Sequence, residues 1–467
     1  MLELIIGQLF LWLVGSVWVA FLWPEPAPGR AALILGYGYL TATLALTLLM
    51  RLLSSLGIAF GWTSIGFPLL IAMAVAAWLL FRRRMFVVAP LRIDRKALEI
   101  GGKYSRLHLA LWWLFVALIA THLALAASEI VLRPLFPWDA WTQWATKARV
   151  WFELQRIVPF TDLAHWSTAT YIDAAPNYPA NVPLMQVWAC ITLGYWDDSL
   201  MNLPFLSIAL ALGLGFYGQL RYAGHGALFA IAGTYALLSL PLLDTHVALA
   251  GYADFPLATF YGLAAIALWQ WSVARDRAQL VLAVVLAVAC PLTKIPGSIW
   301  LLTLVPALIV TLMPRSGLRV VFGLGAALIL GLIALGSADV GILNYRLGST
   351  FQPAWAPLWQ NYYEFANWHL LWYVLPVLLA INYRRLFLSP LVAGTVTVGS
   401  GLAFLFVVFS FTNATNWVAD YSTVNRATLH LAPLLVFYIL ALADSASTTQ
   451  SANHIENATP FPAEGQA

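Results

Sequence analysis

An apolar segment at 107–128, LHLALWWLFVALIATHLALAAS, decides how this chain folds together with the tract that soon follows it, Pro137-Trp138-Asp139-Ala140-Trp141-Thr142-Gln143-Trp144-Ala145-Thr146-Lys147-Ala148-Arg149. A membrane-spanning helix needs about 20 apolar residues, and the segment supplies them. The tract places a carboxylate and two cations where membrane gives way to water, among tryptophans suited to the headgroup belt. Ionisable groups at that depth are costly and point to a functional site by default. The tract also reads as an aromatic anchor with a solvated basic stretch behind it.

Composition points the same way. Of 467 residues, 61% are hydrophobic and only 9% charged, where a soluble domain carries roughly 25% charged residues. The chain is therefore read as a polytopic membrane protein. Its formal net charge of +4 reflects anchoring arginines and implies no nucleic-acid partner. Cys190 and Cys290 lie in apolar surroundings without metal-ligand or CxxC spacing and read as small core residues. The first apolar stretch lacks a basic n-region and a small-residue cleavage site, so it is expected to be retained as a helix.

Spans are expected near 3–23, 32–52, 57–81, 107–128, 200–220, 226–243, 255–273, 278–293, 298–313, 320–336, 368–382, 387–411 and 427–443, about thirteen in all. Lys and Arg collect at Arg82-Arg83-Arg84 with Arg92, Arg95, Lys96, Lys103 and Arg106, then at Arg221, at Arg275 and Arg277, at Arg315 and Arg319, and at Arg384-Arg385. Alternating helices put all of these on one side, which the positive-inside rule makes cytoplasmic, with the N-terminus outside. The opposite side receives 129–199, 244–254, the turn at 294–297, 337–367 and 412–426. The apolar stretch 182–196 is short, and is read as an interfacial or re-entrant helix within the large external loop. Three parts are expected: 1–106, N-terminal helices with a basic loop; 107–443, a membrane module with external loop 129–199; and 444–467, a polar cytoplasmic tail without enough apolar residues to order it.

Four constellations fall on the external side. They are the tract with Asp139; Asp173-Ala174-Ala175-Pro176-Asn177-Tyr178-Pro179-Ala180-Asn181-Val182-Pro183-Leu184; Gly251-Tyr252-Ala253-Asp254-Phe255-Pro256-Leu257-Ala258; and Leu292-Thr293-Lys294-Ile295-Pro296-Gly297. Arg426 adds a cation before the last helix. Taken singly, Asp173 and Asp254 also suit helix caps, and Lys294 and Arg426 suit snorkelling to headgroups. Together, carboxylates and isolated cations beside aromatic loops suit a substrate that is anionic, lipid-attached and sugar-like. A polyprenyl phosphate keeps its tail in the bilayer and its phosphate at the interface, where Arg offers a forked contact and Lys a point charge. Sugar transfer from it needs a carboxylate to take the acceptor's hydroxyl proton and a site that limits water.

These motifs resemble those of the GT-C glycosyltransferases that use polyprenyl-phosphate sugars, such as protein mannosyltransferases and lipid A aminoarabinose transferases. The likeness runs over roughly 107–443. Asp139 matches the acidic residue near the start of that family's first external loop. Tyr178-Pro179-Ala180-Asn181-Val182-Pro183-Leu184 is similar to the turn that closes the loop and leads to an amphipathic helix. Tyr252-Ala253-Asp254-Phe255-Pro256-Leu257, Thr293-Lys294-Ile295-Pro296-Gly297 and Arg426 are similar to later elements. Ala140 stands where many relatives have a second carboxylate.

The resemblance implies an all-α, GT-C-type bundle of the bacterial inner membrane. It would be an inverting hexosyl- or pentosyltransferase facing the periplasm, moving a monosaccharide from a polyprenyl-phosphate donor to a glycan, lipid or protein acceptor. Asp139 would be the base, with Asp254 as the alternative. Lys294 and Arg426, with Lys147 or Arg149, would hold the donor phosphate. Trp138, Trp141, Trp144, Asp173, Tyr178 and Tyr252 would line the sugar or acceptor. A divalent cation shared by Asp139 and Asp254 is open, with no ligand cluster at short spacing to require it. Two other readings stand beside this one: an O-antigen-type polymerase or ligase with a lipid pyrophosphate donor, and a lipid-linked-sugar flippase or transporter.

Overall fold

The computed structural model describes all residues except 24–26, 83–98, 101–102, 105, 169–170, 335–339, 343–344, 348–350, 352, 419–420, 422 and 459–467. Most of the basic loop that orients the sequence reading, Arg83 to Lys96, lies outside the described residues. The fold is helical apart from two short antiparallel pairs, Glu99–Ile100 with Lys103–Tyr104 and Val340–Ile342 with Tyr345–Leu347.

Seven helices are long and apolar enough to cross a membrane. They are α1 (Leu2–Leu22), α2 (Arg30–Ser55), α3 (Trp62–Arg82), α4 (Arg106–Leu132), α7 (Leu203–Tyr222), α10 (Asp254–Ala274) and α17 (Val392–Phe411). Two bent pairs raise the number to nine among the described residues: α8 (Ala227–Leu238) with α9 (Pro241–Ala248), at 65°, and α18 (Thr423–Leu429) with α19, which begins at Ala432, at 58°. Each bend precedes a proline in the next first turn, Pro241 or Pro433. Proline lacks the N–H that would continue the ladder and crowds the preceding turn. The other four expected spans fall on shorter or broken helices: α11 (Arg277–Thr293), α12 (Gly297–Leu302) with α13 (Val305–Leu312), α14 (Gly317–Ala334) and α16 (Leu371–Asn382).

The core forms around α10, which is buried on nearly every face from Asp254 to Gln270. A helix that is apolar all round belongs inside a bundle. It takes polar contacts from its neighbours: the Tyr37 hydroxyl donates to the Leu263 carbonyl at 2.9 Å and accepts from Gln219 Nε2 at 2.7 Å. Small residues bring α2 against α7, since a Cβ on Gly36 would lie 2.4 Å from the Gly215 nitrogen. Residues of α2 belong to the same core as those of α7 and α10. By contrast α4 buries only Ala126 and Ile130.

The segment between α4 and α7 carries a π-helical turn at Ala140–Ala145, then α5 (Thr146–Leu154) and α6 (Asn181–Leu193). At 13 residues, or about 20 Å, α6 is too short to span. The resemblance implies an amphipathic helix here, and the structure corrects this. Apart from Ile191, every residue of α6 is buried, because α1, α2, α5 and α7 cover it. At the C-terminal end α19 runs from Ala432 to Ala458. Arg385 Nη1 donates to the Ser445 carbonyl of this helix at 3.0 Å.

The two ends of the bundle carry different chemistry. Asp254 opens α10 and Arg275 follows its last residue, about 30 Å away at helical rise. Around Arg275, Tyr222 donates to Asp276 at 2.9 Å and Arg275 Nη2 to the Thr311 carbonyl at 2.7 Å. The constellations read from the sequence gather at the Asp254 end.

Candidate functional site

Two glycine turns assemble the site. Gly251 has φ +110°, and a Cβ there would lie 2.8 Å from the Ala140 Cβ. Only glycine takes that conformation cheaply, so the turn before α10 seats Tyr252 and Asp254 directly against the Asp139 tract. Gly297 opens α12 so close to α11 that a Cβ would lie 2.1 Å from the Cys290 carbonyl oxygen. The tight return leaves Lys294 extended, with φ −153° and ψ 146°, and its ammonium meets the start of α10.

Four charged residues converge there. Lys294 Nζ lies 2.6 Å from Asp254 Oδ1. Arg426, on α18, donates from Nη1 to Asp139 Oδ2 at 2.7 Å and from Nε to Asp254 Oδ2 at 3.1 Å. Its guanidinium carbon also stands 4.7 Å from the centroid of the Tyr252 ring, a cation–π contact. Two carboxylates and two cations cancel, as buried charges must.

His430, at the α18–α19 bend, joins them with Nε2 3.0 Å from Asp254 Oδ1. Trp300 Nε1 donates to His430 Nδ1 at 2.9 Å. An indole nitrogen can only donate, so Nδ1 is the acceptor, and the proton of the neutral ring sits on Nε2, facing Asp254. Asp254 thus receives Lys294 and His430 on one oxygen and Arg426 on the other, and its side chain is 1% exposed. Asp139 differs: its side chain is 21% exposed, and its Oδ1 has no partner among the described residues.

The remaining predicted residues separate into two groups. Tyr252 lies in the cluster, and Tyr178 beside it stacks on the buried Trp144 at 5.1 Å between ring centroids. Burial, aided by the nearby Asp254 carboxylate, raises the Tyr178 hydroxyl above its usual range. Lys147, expected at the phosphate, is instead buried in the loop; it donates to the Ala175 carbonyl and lies 3.5 Å from Asp173 Oδ1. Burial pushes the Asp173 carboxyl up against the pull of Lys147, and holds the Lys147 ammonium below its usual range. This clasp closes the loop rather than facing the cluster, because the short α5 turns Lys147 inward. Arg149 points elsewhere, paired with Glu153 at 2.9 Å and lying over Trp196 at 5.1 Å. Trp138 and Trp141 are exposed and pack edge to face on each other at 5.1 Å.

Arg426 stands between the two carboxylates, where a shared cation would sit, and the described residues contain no group of three His, Cys, Asp or Glu arranged to hold a metal. Sequence reasoning missed Trp300 and His430; an ionisable side chain within an apolar run was the available signal for the second. No protein-family pattern, curated protein or solved structure matches the chain.

Proposed function

We propose that the chain is an integral membrane glycosyltransferase of the GT-C type. In this reading it moves a monosaccharide from a polyprenyl-phosphate donor to a cell-envelope glycan, lipid or protein acceptor at the periplasmic face of a bacterial inner membrane. The observation that carries the reading is the joining of Asp139, Arg426, Asp254 and Lys294 at one end of an apolar bundle. A lipid-borne phosphate and a polar sugar meet at that depth.

The two carboxylates take different parts. A base needs an oxygen open to the proton it accepts. Asp139 has one, whereas Asp254 is saturated by three donors. Asp139 takes the proton of the acceptor hydroxyl as that oxygen attacks the anomeric carbon. The bond from that carbon to the phosphate oxygen breaks, and the phosphate leaves with the electron pair, inverting the centre. Asp254 aims the cations. Lys294 retains ammonium hydrogens beyond its one carboxylate contact, and Arg426 Nη2 makes no hydrogen bond among the described residues; both suit the leaving phosphate. Tyr252 and Tyr178 flank the sugar.

Purified protein in liposomes, given a labelled polyprenyl-phosphate sugar and an envelope-glycan extract, is expected to release polyprenyl phosphate as label reaches the acceptor. Failure to turn over any hexosyl or pentosyl donor of this class would count against the reading.

A further inference from the structure

Among the described residues, the buried cations at this end of the bundle each meet a carboxylate, whereas the half-buried Arg51 does not. Asp139 and Asp254 engage Arg426 and Lys294, Asp173 faces Lys147, and Glu153 faces Arg149. Arg51 lies near the end of α2 on the same face, where Ser54 Oγ accepts from the Ile157 amide of the external loop at 3.0 Å. Its partners are neutral: Nη2 donates to Asn181 Oδ1 at 2.9 Å and, at 3.5 Å, to the Leu292 carbonyl. Among the described residues it has no acidic partner, Nε is buried without an acceptor, and Nη1 makes no hydrogen bond.

Capping explains part of this. Leu292 is in the last turn of α11, and a cation at a helix C-terminus is worth about 0.3–1 kcal/mol. Arg51 is half-buried, so part of the several-kcal/mol cost of withdrawing an ion from water falls on it, and capping offsets only some of that. The position is also pointed. Asn181 Nδ2 donates to Thr293 Oγ1 at 3.3 Å, and Thr293 directly precedes Lys294. Arg51 therefore stands behind the turn that delivers Lys294.

We propose that Arg51 is the anion-binding residue of a phosphate site between α2, α6 and the end of α11, taking the phosphate of a lipid. A guanidinium presents planar donors that match phosphate oxygens, and Nη1 is the edge left open to them. The phosphate comes either from a polyprenyl phosphate or from an anionic glycerophospholipid. The site stands whether or not the chain transfers sugar, because binding alone defines it.

Native mass spectrometry of the full chain in detergent tests it, with polyprenyl phosphate, phosphatidylglycerol and phosphate-free polyprenol as probes. Wild type is expected to retain phosphate-bearing lipid at least tenfold more tightly than polyprenol. Arg51→Gln is expected to lose about tenfold of that affinity, the scale of a charged hydrogen bond, and Arg51→Lys to keep part of it. Selective retention of polyprenyl phosphate assigns the site to a lipid-linked donor; equal retention of phosphatidylglycerol assigns it to membrane lipid. Undiminished binding in Arg51→Gln, or equal binding of polyprenol and its phosphate by wild type, overturns the proposal and leaves Arg51 a helix cap. If Arg51→Gln does not fold, a photoreactive residue at the exposed Ser55, one turn on along the same face, must crosslink to the phosphate lipid and not to polyprenol; no such crosslink also overturns it.

Discussion

Trp300 donates its indole N–H to His430 Nδ1 at 2.9 Å, and that bond determines which nitrogen His430 turns toward Asp254. The chain Trp300–His430–Asp254 contains no mobile proton: each donor is already spent on its neighbour. In the proposed reaction His430 positions the carboxylate and does not exchange protons with substrate.

Trp300→Phe keeps most of the ring volume and removes the donor. A net hydrogen bond is worth about 0.5–1.5 kcal/mol, so the transfer rate is expected to fall by about 2- to 10-fold while donor binding is retained. Initial rates at saturating and limiting donor check this. A rate equal to wild type would mean that His430 holds its place without the indole.

Asp254→Asn is expected to damage folding more than chemistry. It leaves the buried Lys294 ammonium without a counter-charge, and breaking one side of a buried pair costs about 3–5 kcal/mol. Thermal unfolding followed by tryptophan fluorescence should show a large fall, partly restored in the double variant Asp254→Asn, Lys294→Met. Additive losses in that cycle would show that the two groups are not coupled.

The glycine turns allow a sharper comparison. Gly251 and Gly194 both have positive φ, +110° and +82°, but only Gly251 has neighbours where a Cβ would go. Gly194→Ala carries only the backbone cost, about 1–2 kcal/mol. Gly251→Ala must also displace Ala140, and with it the Asp139 tract. The second variant should be clearly less stable and nearly inactive; matching unfolding temperatures in the two would remove the steric role assigned to Gly251.

Lys147 is expected to behave as a loop residue. Lys147→Met should expose the segment 155–180 to limited proteolysis, because the Asp173 carboxylate and the Ala175 carbonyl lose their donor, while donor affinity changes little. Lys294→Met should do the reverse. A loss of donor affinity in Lys147→Met with an intact loop would return Lys147 to the phosphate.

Much of the bundle was legible in the sequence because a long apolar run has few other fates. The seven helices that are long and apolar enough to span by themselves fall where runs of about 20 residues stand. The shorter and bent helices were harder to place, since α11, α12 and α16 are apolar by composition but ended by local breaks such as Pro296 and by tertiary packing. At the site, Asp139, Asp254 and Lys294 were visible because each sits at a helix end marked by Gly, Pro or aromatic residues, and Arg426 because it is a lone cation before the last apolar run. Their grouping was not visible: Arg426 reaches Asp254 across 172 positions and Trp300 reaches His430 across 130. The burial of Lys147 followed from how α5 packs, which neighbouring residues do not encode. The surroundings of Arg51 were hidden for the same reason, as its partners Asn181 and Leu292 are distant in sequence.

The central claim is that the less buried of the two carboxylates is the base and the saturated one its support. Single-turnover transfer from a labelled polyprenyl-phosphate sugar, measured for Asp139→Asn, tests it most directly. The amide keeps the shape of the side chain but cannot accept the proton, and a general base contributes about 100- to 10,000-fold. The account predicts a loss of that size in protein that still folds and binds donor. Transfer at the wild-type rate in Asp139→Asn would contradict it.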